Sequence, residues 1–246
     1  MDIEQLIKRY RSGDHDFRGA DLTGFILYGI NLSEANFYRA SLRRTKLFEA
    51  HLDKCNFTEA TFDEADLTGA SMCDSNFNWA RLTGTILNRA KLNRSNMIEA
   101  KLSRAKLFEA DLSEAILSWA DLSWAKLYEA KLSWSNLSKA NLGRARLNAA
   151  TLSEANLSEA DLESADLSQA DLREAKLSFA NLEDVLLRQA NLSGSDLREA
   201  NFSGADLTGA KLSWANMTGA QISEAQWQQA DDLEGLILPD GSMYEA

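Results

Sequence analysis

Two histidines, two cysteines and 37 carboxylates are the groups in this 246-residue chain that could carry catalysis or hold a metal. Nucleophilic catalysis needs a thiol or hydroxyl within reach of a base that a third group orients, and a zinc site needs three or four Cys or His ligands at short spacing. His15 and His51 have no nucleophile at an equivalent place in the pattern described below, and Cys55 and Cys73 form neither a ligand quartet nor a disulfide framework. Cys55 stands where small buried residues recur and reads as a buried apolar group; Cys73 stands at an outward position, where a thiol can react. The carboxylates are spread at regular intervals instead of being paired. The chain holds no glycine-rich phosphate loop, no cysteine-pair zinc spacing and no EF-hand loop. The expectation is a protein that is not an enzyme, with no catalytic residue, no cofactor and no metal.

Recognition is the chemistry that remains. Trp119, Trp124, Tyr128 and Trp134 follow one another closely, with Trp79 and Phe108 extending the belt, and exposed aromatics are enriched at binding hot spots. Charge is uneven along the chain: residues 1–80 carry a net −4, 81–146 a net +6 and 147–246 a net −13. When the chain is folded at the 20-residue period derived below, Arg104 and Lys106 align along one edge with Arg144 and Arg146, and Lys126 and Trp124 lie between them. Such an arrangement could receive an acidic partner segment. These nine residues, Trp119, Trp124, Tyr128, Trp134, Arg104, Lys106, Lys126, Arg144 and Arg146, form the candidate protein-binding surface. The overall charge of −11 disfavours nonspecific binding to nucleic acid or to an anionic membrane.

The element that must position these residues is set by a repeat. Every fifth residue from Phe17 to Trp227 is apolar, 43 positions in all and mostly Leu, and two residues before each stands a small residue, usually Ala. A helix turns 100° per residue, so a five-residue step would spiral these leucines around its axis. A strand puts residues two apart on one face, which sends Ala and Leu inward and the Asp or Asn between them outward. Five is odd, so an unbroken strand would turn alternate leucines outward. The chain therefore turns a corner at the two polar residues that follow each Leu. Phe17, Phe37, Phe57 and Phe77 stand 20 apart, as do Asn36, Asn56, Asn76 and Asn96, which implies four repeats per coil and about eleven coils. The one proline, Pro239, lies beyond the last repeat, as expected if interior amides are committed to neighbouring coils.

This pattern, A-(D/N)-L-x-x, resembles that of the pentapeptide-repeat proteins, and the resemblance covers about residues 16–238. It implies an all-β fold, a right-handed quadrilateral β-helix. The opening D-I-E-Q-L-I-K-R-Y-R resembles the N-terminal capping helix of cyanobacterial members, and L-P-D-G-S their closing segment. Ile3, Leu6, Ile7 and Tyr10 indeed fall on one helical face, and an open solenoid end needs such cover. The expected organisation is a helical cap over residues 1–15, the β-helix over 16–230 and a closing segment over 231–246. Similar cyanobacterial members include a heterocyst-differentiation regulator that binds a transcription factor, which implies a related scaffold role with a protein partner. The alternative is the DNA mimicry by which some members modulate DNA gyrase, suited by the acidic C-terminal hundred residues but interrupted by the basic middle. The short closing segment favours a monomer. The absence of a leader-like or spanning apolar run points to the cytoplasm.

Overall fold

The computed structural model describes residues 1–245 and places one parallel β-bridge in almost every repeat, each joining residues 20 apart, from Asp16–Asn36 to Asn201–Gln221. Four repeats thus make a coil, and the coil has four faces named here by their outward bridge residues. The first face carries Asp21, Ser41 and Thr61, the second Ile26, Lys46 and Asp66, the third Asn31, His51 and Ser71, and the fourth Asn36, Asn56 and Asn76. The second and fourth faces are opposite.

Backbone accounting explains the repeat residue by residue. Ser41 N–H donates to Ala20 in the coil before, while Leu22 and Gly24 donate to Ser41 and Arg43 in the coil after, and Phe25 N–H closes the corner onto Leu22 at 3.0 Å. Four of five amides are used in this way. The fifth, on the residue after Leu, is taken by a side chain: Thr23 N–H donates to Asp21 Oδ1 at 3.0 Å, Ser33 to Asn31 at 3.1 Å and Ser123 to Asp121 at 3.1 Å. This bond from Asp or Asn to the amide two residues on is why those two residue types dominate the outward position. The next residue has positive φ, as in Glu34 at 63° and Trp124 at 60°. That geometry, with an i+3 to i bond, is a type II turn. Placing non-glycine residues there costs about 1 kcal/mol each, offset by the bonds that each corner makes to the coil above and below.

The interior is continuous. The Leu-position residues from Phe17 to Met217 are all buried, with the small residues beside them from Ala35 onward, while Ala20, Phe25 and Ile30 of the first coil are half-buried. Phe37 and Phe57 stack with centroids 5.3 Å apart, and Phe57 and Phe77 with centroids 4.9 Å apart. At the N-terminal end α1, Ile3–Arg11, starts with an Asp2–Gln5 capping box and lays fully buried Leu6 on the first coil, beside Ile3 and Tyr10. The Tyr10 hydroxyl donates to Ser33 O at 3.1 Å.

At the other end the five-residue register read through Trp227 gives way after Gln221. Ser223 and Gln226 form a capping box that opens α2, Glu224–Trp227, and Gln226 Nε2 donates to the carbonyls of Phe202 and Ala205 in the coil below. Ile222 is left half-buried. The ladder then resumes one residue out of phase, Asp232 pairing with Lys211 and Ile237 with Asn216, and Met243 folds back antiparallel onto Ile237. Pro239 occupies the first corner residue of the Leu238–Gly241 turn, the one place in a repeat where no backbone ladder bond is lost. No helix among the described residues is long and apolar enough to cross a membrane.

Candidate functional site

The nine candidate surface residues do not make one patch. Seven share the second face. Arg104, Trp124 and Arg144 line its leading corner on three successive coils, Lys106, Lys126 and Arg146 form its central column through consecutive bridges, and Tyr128 lies at its far corner with Phe108 one coil below. Trp119 and Trp134, 58% and 59% exposed, flank the opposite fourth face, where Ile116 interrupts the asparagine column. A partner lying on one face can engage one set or the other.

On the second face the aromatics and cations are joined. The Arg144 guanidinium stands 5.0 Å from the ring centre of half-exposed Trp124, and Arg146 Nη1 donates to the Tyr128 hydroxyl at 2.8 Å. Twelve cations elsewhere form ion pairs, as in Arg39–Glu59 at 2.7 Å, Arg89–Glu109 at 2.6 Å and Arg94–Asp74 at 2.8 Å, while others, Lys46, Lys91 and Lys101 among them, form none among the described residues. Arg104, Lys106, Lys126, Arg144 and Arg146 make no ion pair among the described residues. Glu109 and Glu129 stand at the far corner of this face, directly after Phe108 and Tyr128, and Glu109 is held by Arg89.

This block departs from the repeat's own stabilising rule in two ways. Lys106, Lys126 and Arg146 stack as like charges on adjacent rungs, which destabilises a sheet. They also replace the Asp or Asn whose side chain would take the following corner amide. Asn88 of the coil below supplies that acceptor for Phe108 at 3.1 Å, whereas the amides of Tyr128 and Asn148 meet no acceptor among the described residues. The like charges thus stack over three successive coils, and two of the three corner amides beside them go without an acceptor.

The other reactive groups stay apart. His51 is exposed, and His15 lies half-buried with its ring stacked on Tyr10 at 4.5 Å between centroids, held by α1 rather than within the core. Cys55 is buried, donates from Sγ to Leu32 O, and its thiol is pushed up to about 12 by burial. Cys73 is half-buried beside Asn93, and burial raises its thiol as well. Among the described residues no three His, Cys, Asp or Glu side chains converge as a metal cluster would.

The family model for pentapeptide repeats matches in eight copies, in overlapping segments from residue 16 to residue 223. No curated protein matches the chain. Among solved structures, the chain is similar to HetL, a pentapeptide repeat protein involved in heterocyst differentiation regulation from the cyanobacterium Nostoc sp. strain PCC 7120. The identity is 34%, over 99% of this chain and 100% of that one, with a TM-score of 0.51. A pentapeptide repeat protein of the Arabidopsis thaliana thylakoid lumen is 32% identical over 52% of this chain and 82% of its own, with a TM-score of 0.29. QnrB1, a plasmid-mediated fluoroquinolone resistance protein, is 18% identical over 89% of this chain and 90% of its own, with a TM-score of 0.40.

Proposed function

The chain belongs to the pentapeptide-repeat family, and on that premise we propose that it is a non-enzymatic scaffold whose basic, aromatic second face holds an acidic protein partner. Its fold is accordingly a right-handed β-helix. We place the rod at about eleven coils, capped by α1, and working in a reducing cytoplasm where both thiols stay free. The observation that carries the reading is the block Arg104, Lys106, Lys126, Arg144 and Arg146. Its five cations make no ion pair among the described residues and occupy three successive rungs whose leading corner and central column carry no acid, next to Trp124 and Tyr128. Unpaired cations beside an exposed Trp suit carboxylates and an apolar anchor of a partner. The involvement of HetL in heterocyst differentiation regulation supports a partner of the signalling or transcription-regulator kind.

The two faces supply an internal control. Protein immobilised through its C-terminus and exposed to native lysate retains its partner when Trp119 is replaced by Ala and loses it when Trp124 is. Equal capture by Trp124→Ala and wild type contradicts the assignment. The second reading is DNA mimicry of a gyrase substrate, favoured by the net −13 of residues 147–246. It predicts salt-sensitive inhibition in a supercoiling assay, and its field is broken by the basic block.

A further inference from the structure

Beyond the basic rung of Arg43, Arg44 and Lys46 and the acidic rung of Asp63, Glu64 and Asp66, the second face changes sign once between residues 103 and 208, and the two halves of that stretch mirror each other. From residue 103 to 148 its leading corner, central column and first far-corner residue carry Arg104, Lys106, Lys126, Arg144 and Arg146 and no acid. From 163 to 208 the same positions carry Glu163, Asp166, Glu183, Asp184 and Asp206, with Arg188 bound to Asp206. In the central column the order is Lys106, Lys126, Arg146, then Asp166, Leu186, Asp206.

We infer that two copies of this chain pair side by side and antiparallel through their second faces, about a two-fold axis lying between the Arg146 and Asp166 rungs. A two-fold interface uses the same patch on both subunits. Here the axis sets Arg146 against Asp166 of the second copy, Lys106 against Asp206 of the second copy, and Trp124 against the corner of Glu183 and Asp184 of the second copy. Each contact occurs twice.

Spacing selects a second copy over a generic acidic partner. The cations repeat at the coil rise of about 4.8 Å, and the carboxylates of the acidic half fall on multiples of that rise, Glu163 and Glu183 on successive rungs of the leading corner and Asp166 and Asp206 two rungs apart in the central column. An extended acidic peptide offers same-side carboxylates roughly 6.7 Å apart and falls out of step within three rungs. Six rungs of about 4.8 Å and a width of four residues give roughly 400 Å² of flat face. That area belongs with weak, transient interfaces, held by charge and therefore salt-dependent. This pairing departs from the monomer expected on the short closing segment, and it uses a face that the closing segment does not form. The inference stands apart from the heterologous partner proposed above, although both occupants would compete for the same basic rungs.

Sedimentation velocity on the purified full chain across a concentration series, in about 20 mM salt where screening extends only ~20 Å, tests the pairing. Wild type self-associates, and Arg146→Glu or Asp166→Arg alone weakens association at least tenfold. An equimolar mixture of the two variants restores it, since each then meets its opposite charge across the axis, and so does the double variant. A wild-type monomer at every concentration overturns the inference. Association that either single variant leaves unchanged, or that the mixture fails to restore, overturns it equally.

Discussion

Lys126 shows in one residue how this repeat separates stability from recognition. At most outward positions an Asp or Asn carboxyl or amide oxygen takes the corner amide two residues on, as Asp121 does for Ser123; Lys126 cannot, and it is stacked between Lys106 and Arg146. Lys126→Asn restores the acceptor and removes a like-charge contact, so it should stabilise the fold by about 0.5–1.5 kcal/mol. For a chain of this size that is a rise of a few degrees in Tm, read by calorimetry; a lower Tm would contradict the account of the corner. Asp206 shows the opposite case. The Thr208 hydroxyl and amide, with Arg188, hold its carboxyl at about 2, below the ordinary 3.8. A carboxyl lowered on folding stabilises the native state above about pH 4, and that contribution is lost as pH falls towards 2. A carbon-13 titration of the Asp206 carboxyl should therefore show a midpoint near 2, and a midpoint near 4 would remove these three interactions from the account.

At the scale of the element, the inward phase was legible and its departures were not. Leu, Ala and the odd period force a corner in every repeat, and the 20-residue spacing of Phe17, Phe37, Phe57 and Phe77 reveals the four-repeat coil that the bridges display. The reason for Asp and Asn at the outward position was hidden, because it depends on which amide the backbone ladder leaves over. The break after Gln221 was hidden too: Ile222 and Trp227 keep the apolar period, while Ser223 and Gln226, three apart, carry the capping signal that starts α2. The site was legible as residue types and columns, but the separation of Trp119 and Trp134 from Trp124 matters only once faces are assigned. The N-terminal helix was legible from the Ile3, Leu6, Ile7 and Tyr10 spacing. Leu6 is its fully buried anchor, so Leu6→Ala should cost about 2–5 kcal/mol. In a solenoid that loss falls on nearest neighbours, so hydrogen exchange should accelerate in the first coils and stay unchanged beyond the middle of the rod. Uniform acceleration along the chain would mean the coils unfold as one unit.

At the scale of the molecule, the rod is built from interchangeable rungs, and its individuality lies in the order of charge and aromatic residues along each face. The interior columns are buried along almost the whole rod, mostly Leu and Ala, so they specify the scaffold and are out of a partner's reach. The second face carries a basic block that the scaffold does not need and that costs it stability. The central claim is that this block is kept for binding. Capture from native lysate by the triple variant Lys106→Asn, Lys126→Asn, Arg146→Asn, set against wild type and paired with a melting curve, tests that claim most directly. The account predicts at least a tenfold loss of captured partner from a protein that melts at an equal or higher temperature. Undiminished capture by that equally stable variant would contradict it.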